Sequence, residues 1–559
     1  MLTSTSDRVL IVTGGLLTSQ ERSLLQATRK WLAHWRGARS AWLDLKVKLV
    51  MAEPLFASRL QALRLAMFRG RRNAVTARSG EERTGSSTPS LTEVVLATLL
   101  ERAGLSYEVL EMDELFTDPG RAHRLLEETG CVFLSSTYLH DLSELVPVVR
   151  KLKRPHNRIV LGGALVGILP RDWPGMPEVD VVAIGYGELL ADSLAGWIRT
   201  GYSSLRPPAG GRLESRSHSL FLSSGAPEGS GLDFLPSPDW GLAMRDHRTR
   251  YRMIYYESVR GCPYRCSFCN YPYLFADTRF RFRSARRMAE DWQGYVADLG
   301  VEYITCLDSL FTVPRPRLHE FCRLLVDRGI RVKWICYARA DDLADEETVV
   351  LMKEAGAHQV QIGIESGDAQ LLENMDKACT VEANARALRN CRKHSLTSVI
   401  SLIVGFPGET SATLERTYRF LEANPPDFYF LATFSTRVAG VPLLRPENRD
   451  RFRLRALDNP YTMAPYWEHA TMSCAEVGNH VRALDRRLMT NRVALNAMLF
   501  YPGMLDFRPE QREALLDLQQ RSTVDHRLLR FGFDVLNRWV DGRLRRDVRD
   551  HFAGHASAR

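Results

Sequence analysis

No apolar run in this 559-residue chain approaches the roughly 20 residues that cross a bilayer, so a helical membrane span and a membrane partner are not expected. Cysteine is scarce: ten in the whole chain, too few for a disulfide framework. The opening residues, Met1-Leu-Thr-Ser-Thr-Ser-Asp-Arg8, lead straight into Val9-Leu-Ile-Val-Thr13 without a secretory pattern. Reduced thiols and no export signal lead us to expect a cytoplasmic protein. There is no internal repeat and no long low-complexity tract. The net charge is +9, but the basic residues, mostly Arg, are spread along the chain. No basic stripe interleaved with aromatics is present of the kind that single-stranded nucleic acid requires, so nucleic acid is not the expected partner. Phosphate-bearing cofactors would account for some of the excess.

What remains is ordinary globular material, 45% hydrophobic and 25% charged, long enough for about two to four domains. Residues 1–201 alternate apolar strands with helical stretches, which predicts a doubly wound, Rossmann-like α/β domain. Its strands are expected at Val9–Thr13, Tyr107–Glu111, Cys131–Ser135, Arg158–Leu161 and Val179–Ile184, with a helix at Leu91–Ala103. An insertion at 20–89 separates the first strand from that helix. Its part from Gln20 to Phe68 reads as helical, and Arg69 to Pro89 as a polar loop. Residues 202–240, rich in Pro, Gly and Ser, read as a linker.

Residues 241–444 alternate again, with strands expected at Tyr255–Val259, Tyr303–Leu307, Lys333–Tyr337, Gln359–Ile364, Ser398–Val404 and Phe428–Phe434. Such a series suits an open parallel β/α barrel of six strands, with its chemistry at the strands' C-terminal ends. Residues 445–559 read as a helical, Arg-rich C-terminal domain.

The most informative stretch follows the first barrel strand: Arg260-Gly-Cys262-Pro-Tyr-Arg-Cys266-Ser-Phe-Cys269. Three thiolates at C-x3-C-x2-C can grip three corners of a cubic iron–sulfur cluster and leave the fourth iron open to a substrate. No other Cys or His lies between Tyr251 and Gly300. A zinc site is the other reading of the same residues, but its paired C-x2-C arms are missing.

With an aromatic before its last cysteine, the motif resembles that of the radical S-adenosylmethionine (radical SAM) enzymes. The resemblance implies a 4Fe–4S cluster on Cys262, Cys266 and Cys269, SAM bound at the open iron, and an electron donor such as flavodoxin or ferredoxin. Gly363-Ile-Glu365-Ser-Gly367 and Gly405-Phe-Pro-Gly408-Glu409 resemble the SAM-contacting strand ends of that family. Glu365 would then hold the ribose hydroxyls or amino group of SAM, and Gly405 would let the adenine lie against backbone. Phe268 would pack near the adenine, and Arg339 would pair with the SAM carboxylate. Taken singly, Glu365 also suits a turn or cap, and Arg339 a local ion pair with Asp341 or Asp342. Asp308 could touch substrate or cofactor, and Cys306 and Cys336 read as buried small hydrophobes.

In the first domain, Gly14, Ser135-Ser136-Thr137, Gly162-Gly163 and Gly185-Tyr-Gly187-Glu188 end successive strands, where doubly wound folds bind ligands. Together with Leu232-Asp-Phe-Leu-Pro-Ser-Pro-Asp-Trp240 and the cysteine motif, they resemble the cobalamin-dependent radical SAM enzymes (class B methyltransferases), as does Trp467-Glu-His-Ala-Thr-Met472. The resemblance implies that these loops hold cobalamin (methylcobalamin). One departure is plain: the loop Thr13-Gly-Gly-Leu-Leu-Thr-Ser-Gln20 lacks the His of a D-x-H-x-x-G motif, which implies a cobalt with no protein His below it. Arg69, with Arg71 and Arg72, is a candidate for approaching that lower face, against the simpler reading of a solvated basic loop.

The function implied is C-methylation of a small-molecule intermediate in a specialised, antibiotic-type biosynthetic pathway, through a 5′-deoxyadenosyl radical and methylcobalamin. Cyclisation or rearrangement without methyl transfer is the alternative among enzymes, and a cluster- or corrinoid-based sensor the alternative outside them. A methylthiotransferase would need a second cysteine set, and the first domain offers only Cys131.

Overall fold

The computed structural model describes residues 8–15, Leu45, 88–139, 142–169, 172–274, 278–436, 441–456, 466–524 and 527–556. Apart from Leu45, Thr88 and Pro89, the 20–89 insertion, with Arg69, Arg71 and Arg72, lies outside the described residues.

The first sheet contains β1 (Val9–Thr13), β2 (Tyr107–Glu111), β3 (Cys131–Ser135), β4 (Arg158–Gly162), β5 (Val181–Ile184), β6 (Arg212–Ser215) and β7 (Leu220–Ser223). Their order is β2-β1-β3-β4-β5-β7-β6, parallel except for the β6–β7 hairpin. β1 and β3 are buried at every position, because both faces of the sheet are covered by separate apolar clusters. The strand order reverses between β1 and β3, the switch point at which such sheets leave a crevice. Helix α1 (Leu91–Arg102) starts where Ser90 accepts a hydrogen bond from the Glu93 amide, and α2 (Gly187–Arg199) follows β5.

The stretch read as a linker is corrected here. β6 and β7 extend the first sheet, with β7 parallel to β5, and Phe221 and Leu222 enter its core. Only two short strands interrupt its Pro/Gly/Ser composition, which is why the pattern concealed them.

The second sheet holds β8 (Met253–Tyr256), β11 (Tyr303–Cys306), β12 (Lys333–Ala338), β13 (Ala357–Glu365), β14 (Thr397–Val404), β15 (Phe428–Thr433) and β19 (Leu495–Asn496). The order β8-β11-β12-β13-β14-β15-β19 is parallel throughout, so every strand presents its C-terminal end to the same mouth. The six expected strands are all present. The expected first strand is divided: β8 stops at Tyr256, and β9 (Val259–Arg260) pairs antiparallel with β10 (Arg281–Phe282).

The C-terminal region is not purely helical. It adds β19 to the barrel and forms a small antiparallel sheet of β16 (Arg455–Ala456), β17 (Trp467–His469) and β18 (Met472–Ser473). Trp467 is buried in the barrel core, so this sheet closes one side of the barrel rather than standing apart. Among the described residues, no helix is long and apolar enough to cross a membrane.

Candidate functional site

The cysteine loop leaves β9 and is fastened to its surroundings by its own backbone. The Ser267 amide donates to the Met375 carbonyl (2.8 Å), the Leu443 amide donates to the Ser267 carbonyl (2.8 Å), and Ser309 Oγ donates to the Gly261 carbonyl (2.9 Å). All three thiols are unpaired, Cys266 buried and Cys262 and Cys269 partly so. Burial pushes all three upward in pKa, Cys269 to about 11, while Arg339 and Lys377 oppose the shift at Cys266. A bound metal would reverse that balance, because it takes the thiolate.

Among the described residues no three Cys, His, Asp or Glu side chains converge as a single metal ion requires. A cubane takes one sulfur per iron and sets its ligands wider apart. Three thiols on one fastened loop, near two cations, suit the three ligated corners of a 4Fe–4S cluster.

Around that loop stand the residues expected to meet SAM. Glu365 ends β13 in a left-handed conformation (φ 63°) beside a register shift in the strand pairing. Its Oε1 accepts from Lys377 Nζ at 3.1 Å, and both groups are nearly excluded from water. Burial would pull the lysine down, but Glu365 and the nearby Cys266 outweigh it and hold Lys377 above its usual range.

Arg339 is occupied locally. Its Nε donates to Asp341 (2.8 Å) and its Nη2 to the carbonyls of Lys377 and Ala378 (2.8 Å each), while its plane lies 3.7 Å from the Tyr264 ring. It shapes the mouth chiefly by fixing the 377–378 turn. Phe268 meets Phe406 edge-on at 6.3 Å, and the series continues through Phe434 to Trp467 and His469.

Gly405 has φ 91°, and a Cβ there would lie 2.5 Å from Val477 and 3.2 Å from Trp467, so only glycine fits. Its amide donates to Glu409 and its carbonyl accepts from His469 Nε2 at 3.0 Å. Burial raises Glu409 to about 8 and lowers His469.

Asp308 is not at the surface of the mouth. It is buried and accepts from the Ser258 amide (2.6 Å), Ser258 Oγ (2.7 Å) and the Val259 amide (2.8 Å), holding β9 in place. Burial raises it to about 6. Cys306 and Cys336 are buried, as expected.

In the first domain a cavity of about 390 Å³ opens at the strand ends. One part is an apolar slot between α1, α2 and the sheet, lined by Leu96, Leu99 and Leu194. Its rim is Ser135, Thr137, Gly162, Gly163, Gly185, Gly187 and Glu188. Gly14, with φ 84°, ends β1 outside this lining, and Ser136 is turned away, its Oγ donating to the Gly162 carbonyl at 2.7 Å.

Gly163 (φ 99°) has no room for a Cβ, which would lie 2.7 Å from the Ser136 amide and 2.8 Å from that of Thr137. A slot for a flat apolar group with a polar, glycine-lined rim fits the nucleotide tail and amide arms of a corrinoid. The far wall belongs to the barrel: Glu257, Arg260, Tyr271, Leu274 and Leu307.

Glu188 faces that wall. Both its oxygens accept from Arg260, at 2.9 and 2.6 Å, and the arginine outweighs burial in holding the carboxyl below its usual range. Arg260, Lys377, Glu409, His469 and Tyr271 escaped sequence reasoning as site residues. Glu409 lay inside a recognised strand-end motif, and His469 inside a recognised segment. Lys377 had no local signal.

Residues 256–421 match the model of the radical SAM superfamily. Over 314 residues the chain is 27% identical to an anaerobic magnesium-protoporphyrin IX monomethyl ester cyclase of Cereibacter sphaeroides, covering 54% of this chain and 48% of that protein. Over 221 residues it is 25% identical to a bacteriochlorophyllide d C-12(1)-methyltransferase of Chlorobaculum tepidum, covering 39% and 47%. The chain spans about half the length of such curated relatives.

Among solved structures, the radical SAM methyltransferase TsrM of Kitasatospora setae, with cobalamin and a 4Fe–4S cluster bound, aligns with a TM-score of 0.56 at 16% identity, covering 79% of this chain and 97% of TsrM. The cobalamin-dependent SAM radical enzyme OxsB, with aqua-cobalamin and SAM bound, also aligns at 0.56 and 16%, covering 78% and 69%. The chain therefore carries a radical SAM domain, which implies a 4Fe–4S cluster and SAM, and it shares its fold with TsrM and OxsB.

Proposed function

We propose that this protein is a cobalamin-dependent radical SAM methyltransferase acting on a carbon of a small-molecule biosynthetic intermediate. The observation that carries the reading is the shared cavity, whose rim belongs to the corrin-type loops and whose far wall belongs to the strand and loop that carry the three cysteines. When bound, the reduced cluster and SAM supply a 5′-deoxyadenosyl radical, and methylcobalamin supplies the methyl group.

The chain's own work is to bind, orient and exclude water. Cys262, Cys266 and Cys269 hold the cluster. Glu365, paired with Lys377, offers its remaining oxygen to SAM, and Gly405 gives the adenine a flat backbone surface beside Phe268. Arg339 holds the turn beneath them. The aromatic series from Phe268 to His469 keeps solvent from one flank. Ser135, Thr137, Gly162, Gly163, Gly185 and Gly187 cradle the corrinoid. Ser136, hydrogen-bonded to the Gly162 carbonyl, supports that cradle from behind.

Glu257, Tyr271 and Leu307 border the cavity from the barrel side. An external one-electron donor such as flavodoxin or ferredoxin is required, and ten unpaired cysteines suit a reducing compartment such as the cytoplasm. The likeness to a cyclase supports a second reading, ring formation without methyl transfer. A methylthiotransferase is disfavoured by Cys131 being the one cysteine of the first domain and buried.

Anaerobic purification with iron and cobalamin, followed by reduction with SAM and a panel of small molecules, tests the proposal. S-adenosylhomocysteine and 5′-deoxyadenosine formed together, with a substrate heavier by one methylene, support methylation. Deoxyadenosine alone supports the cyclase reading, and neither product sinks both.

A further inference from the structure

We propose that Arg260 is a positioning residue that ties the corrin-side loop to the cluster-side loop through a buried two-point fork onto Glu188, and so fixes the separation of the two cofactors. The inference rests on the proposal that a corrinoid fills the shared cavity.

Arg260 stands two residues before Cys262, at the end of β9. Glu188 lies in the first turn of α2, immediately after the Gly185–Gly187 loop of the other domain. Arg260 Nη1 donates to Glu188 Oε2 at 2.9 Å and Nη2 to Oε1 at 2.6 Å, while Nε donates to Glu257 at 2.9 Å on the barrel side. The guanidinium also lies 4.9 Å from the Tyr186 ring. A planar guanidinium held by two carboxylates and one ring has no freedom to turn, so neither loop can slide without breaking two charge-assisted bonds at once.

The burial of the pair argues for a geometric role. An ion pair removed from water adds little net stability over apolar residues of the same size, yet costs heavily when one partner is lost. Such a pair makes sense where position matters more than stability, and Glu188 and Arg260 both border the cavity between the proposed cofactors. A shift of either loop would change where a radical forms relative to the corrin face.

Two variants test this in the full chain with its cluster reconstituted anaerobically. Glu188→Gln leaves Arg260 still paired with Glu257, so no charge is stranded. Arg260→Lys keeps the charge but loses the fork.

The first measurement is amide hydrogen exchange without corrinoid. Arg260→Lys, a change in the barrel, should speed exchange at residues 185–188 of the other domain by about tenfold, as when a local opening loses its closing contact. Glu188→Gln should act reciprocally at 260–262 and serves alone if the lysine variant does not fold.

The second measurement adds hydroxocobalamin, reduced to cob(II)alamin. Spin–spin coupling to the reduced cluster, read per bound cobalt, should weaken or broaden in both variants. Wild-type exchange and coupling in both variants would overturn the proposal. A wild-type protein that takes up no hydroxocobalamin would instead sink the corrinoid reading and the cofactor half of this proposal, while the exchange measurement still decides whether Arg260 ties the two loops.

Discussion

Lys377 Nζ lies 3.1 Å from Glu365 Oε1 at the mouth of the barrel, and neither side chain has appreciable contact with water. The lysine is the nearest counter-charge to a carboxylate that would otherwise be buried alone beside the cysteine loop. Replacing Lys377 by Met should therefore destabilise the protein by about 3–5 kcal/mol, the cost of stranding one member of a buried pair. Glu365→Gln with Lys377→Met together should recover much of that loss. Urea denaturation of the two variants checks it, and equal losses in both would refute the pairing.

Each of Cys262, Cys266 and Cys269 changed to Ala should lower bound iron to background after anaerobic reconstitution. Cys306→Ala and Cys336→Ala should retain it, since those thiols are buried on strands of the barrel. Iron and sulfide assays with the visible absorbance band decide the matter.

Glu409 gives the stability a pH dependence of known sign. Its carboxyl titrates near 8 when folded and near 4.5 when not, so between those values the folded state holds a proton that the unfolded chain lacks. Stability should fall as pH rises through that window, by at most about 1.4 kcal/mol per unit from this one group. Glu409→Gln should flatten the slope. Melting curves of both proteins from pH 5 to about 8.5 provide the comparison.

His469 fixes the Gly405 carbonyl at 3.0 Å. Removing that donor with His469→Leu should weaken SAM binding by about five- to tenfold, the size of one lost hydrogen bond. His469→Gln should restore part of it. Calorimetric titration with SAM separates this from a loss of fold, which would abolish binding in both.

Gly163→Ala should impair cobalamin uptake while leaving iron content intact, because the added methyl would press on the Ser136 and Thr137 amides at the cavity rim. Absorbance titration with hydroxocobalamin, alongside iron assay, reads both effects.

Much of this was legible in one dimension. Residues 9–13 and 131–135 read as strands because every position is apolar or nearly so, as a doubly covered parallel sheet requires. The six expected barrel strands and the cysteine loop after the first were visible because strand–helix alternation and C-x3-C-x2-C are local patterns. The hairpin at 212–223 was not. Leu220–Ser223 is held by pairing with Val181–Ile184, and the exposed strand Arg212–Ser215 by pairing with Leu220–Ser223 in turn.

SAM entered only through the resemblance of two strand ends; the sequence by itself determined three thiols spaced for a cluster and glycine loops suited to a large flat ligand. Spacing along a chain is enough for that, since all the donors of one loop are neighbours. Only the tertiary structure decided who meets whom. It bound Arg339, beyond its sequence neighbour Asp341, to the 377–378 carbonyls, turned Asp308 inward onto Ser258, gave Glu365 its lysine from 12 residues downstream, and set Glu188 against Arg260 from 72 residues away. The last of those pairings depends on how two domains pack and the others on how the barrel's own loops fold over its strand ends, and partners brought together only by packing leave no periodicity or motif in the chain.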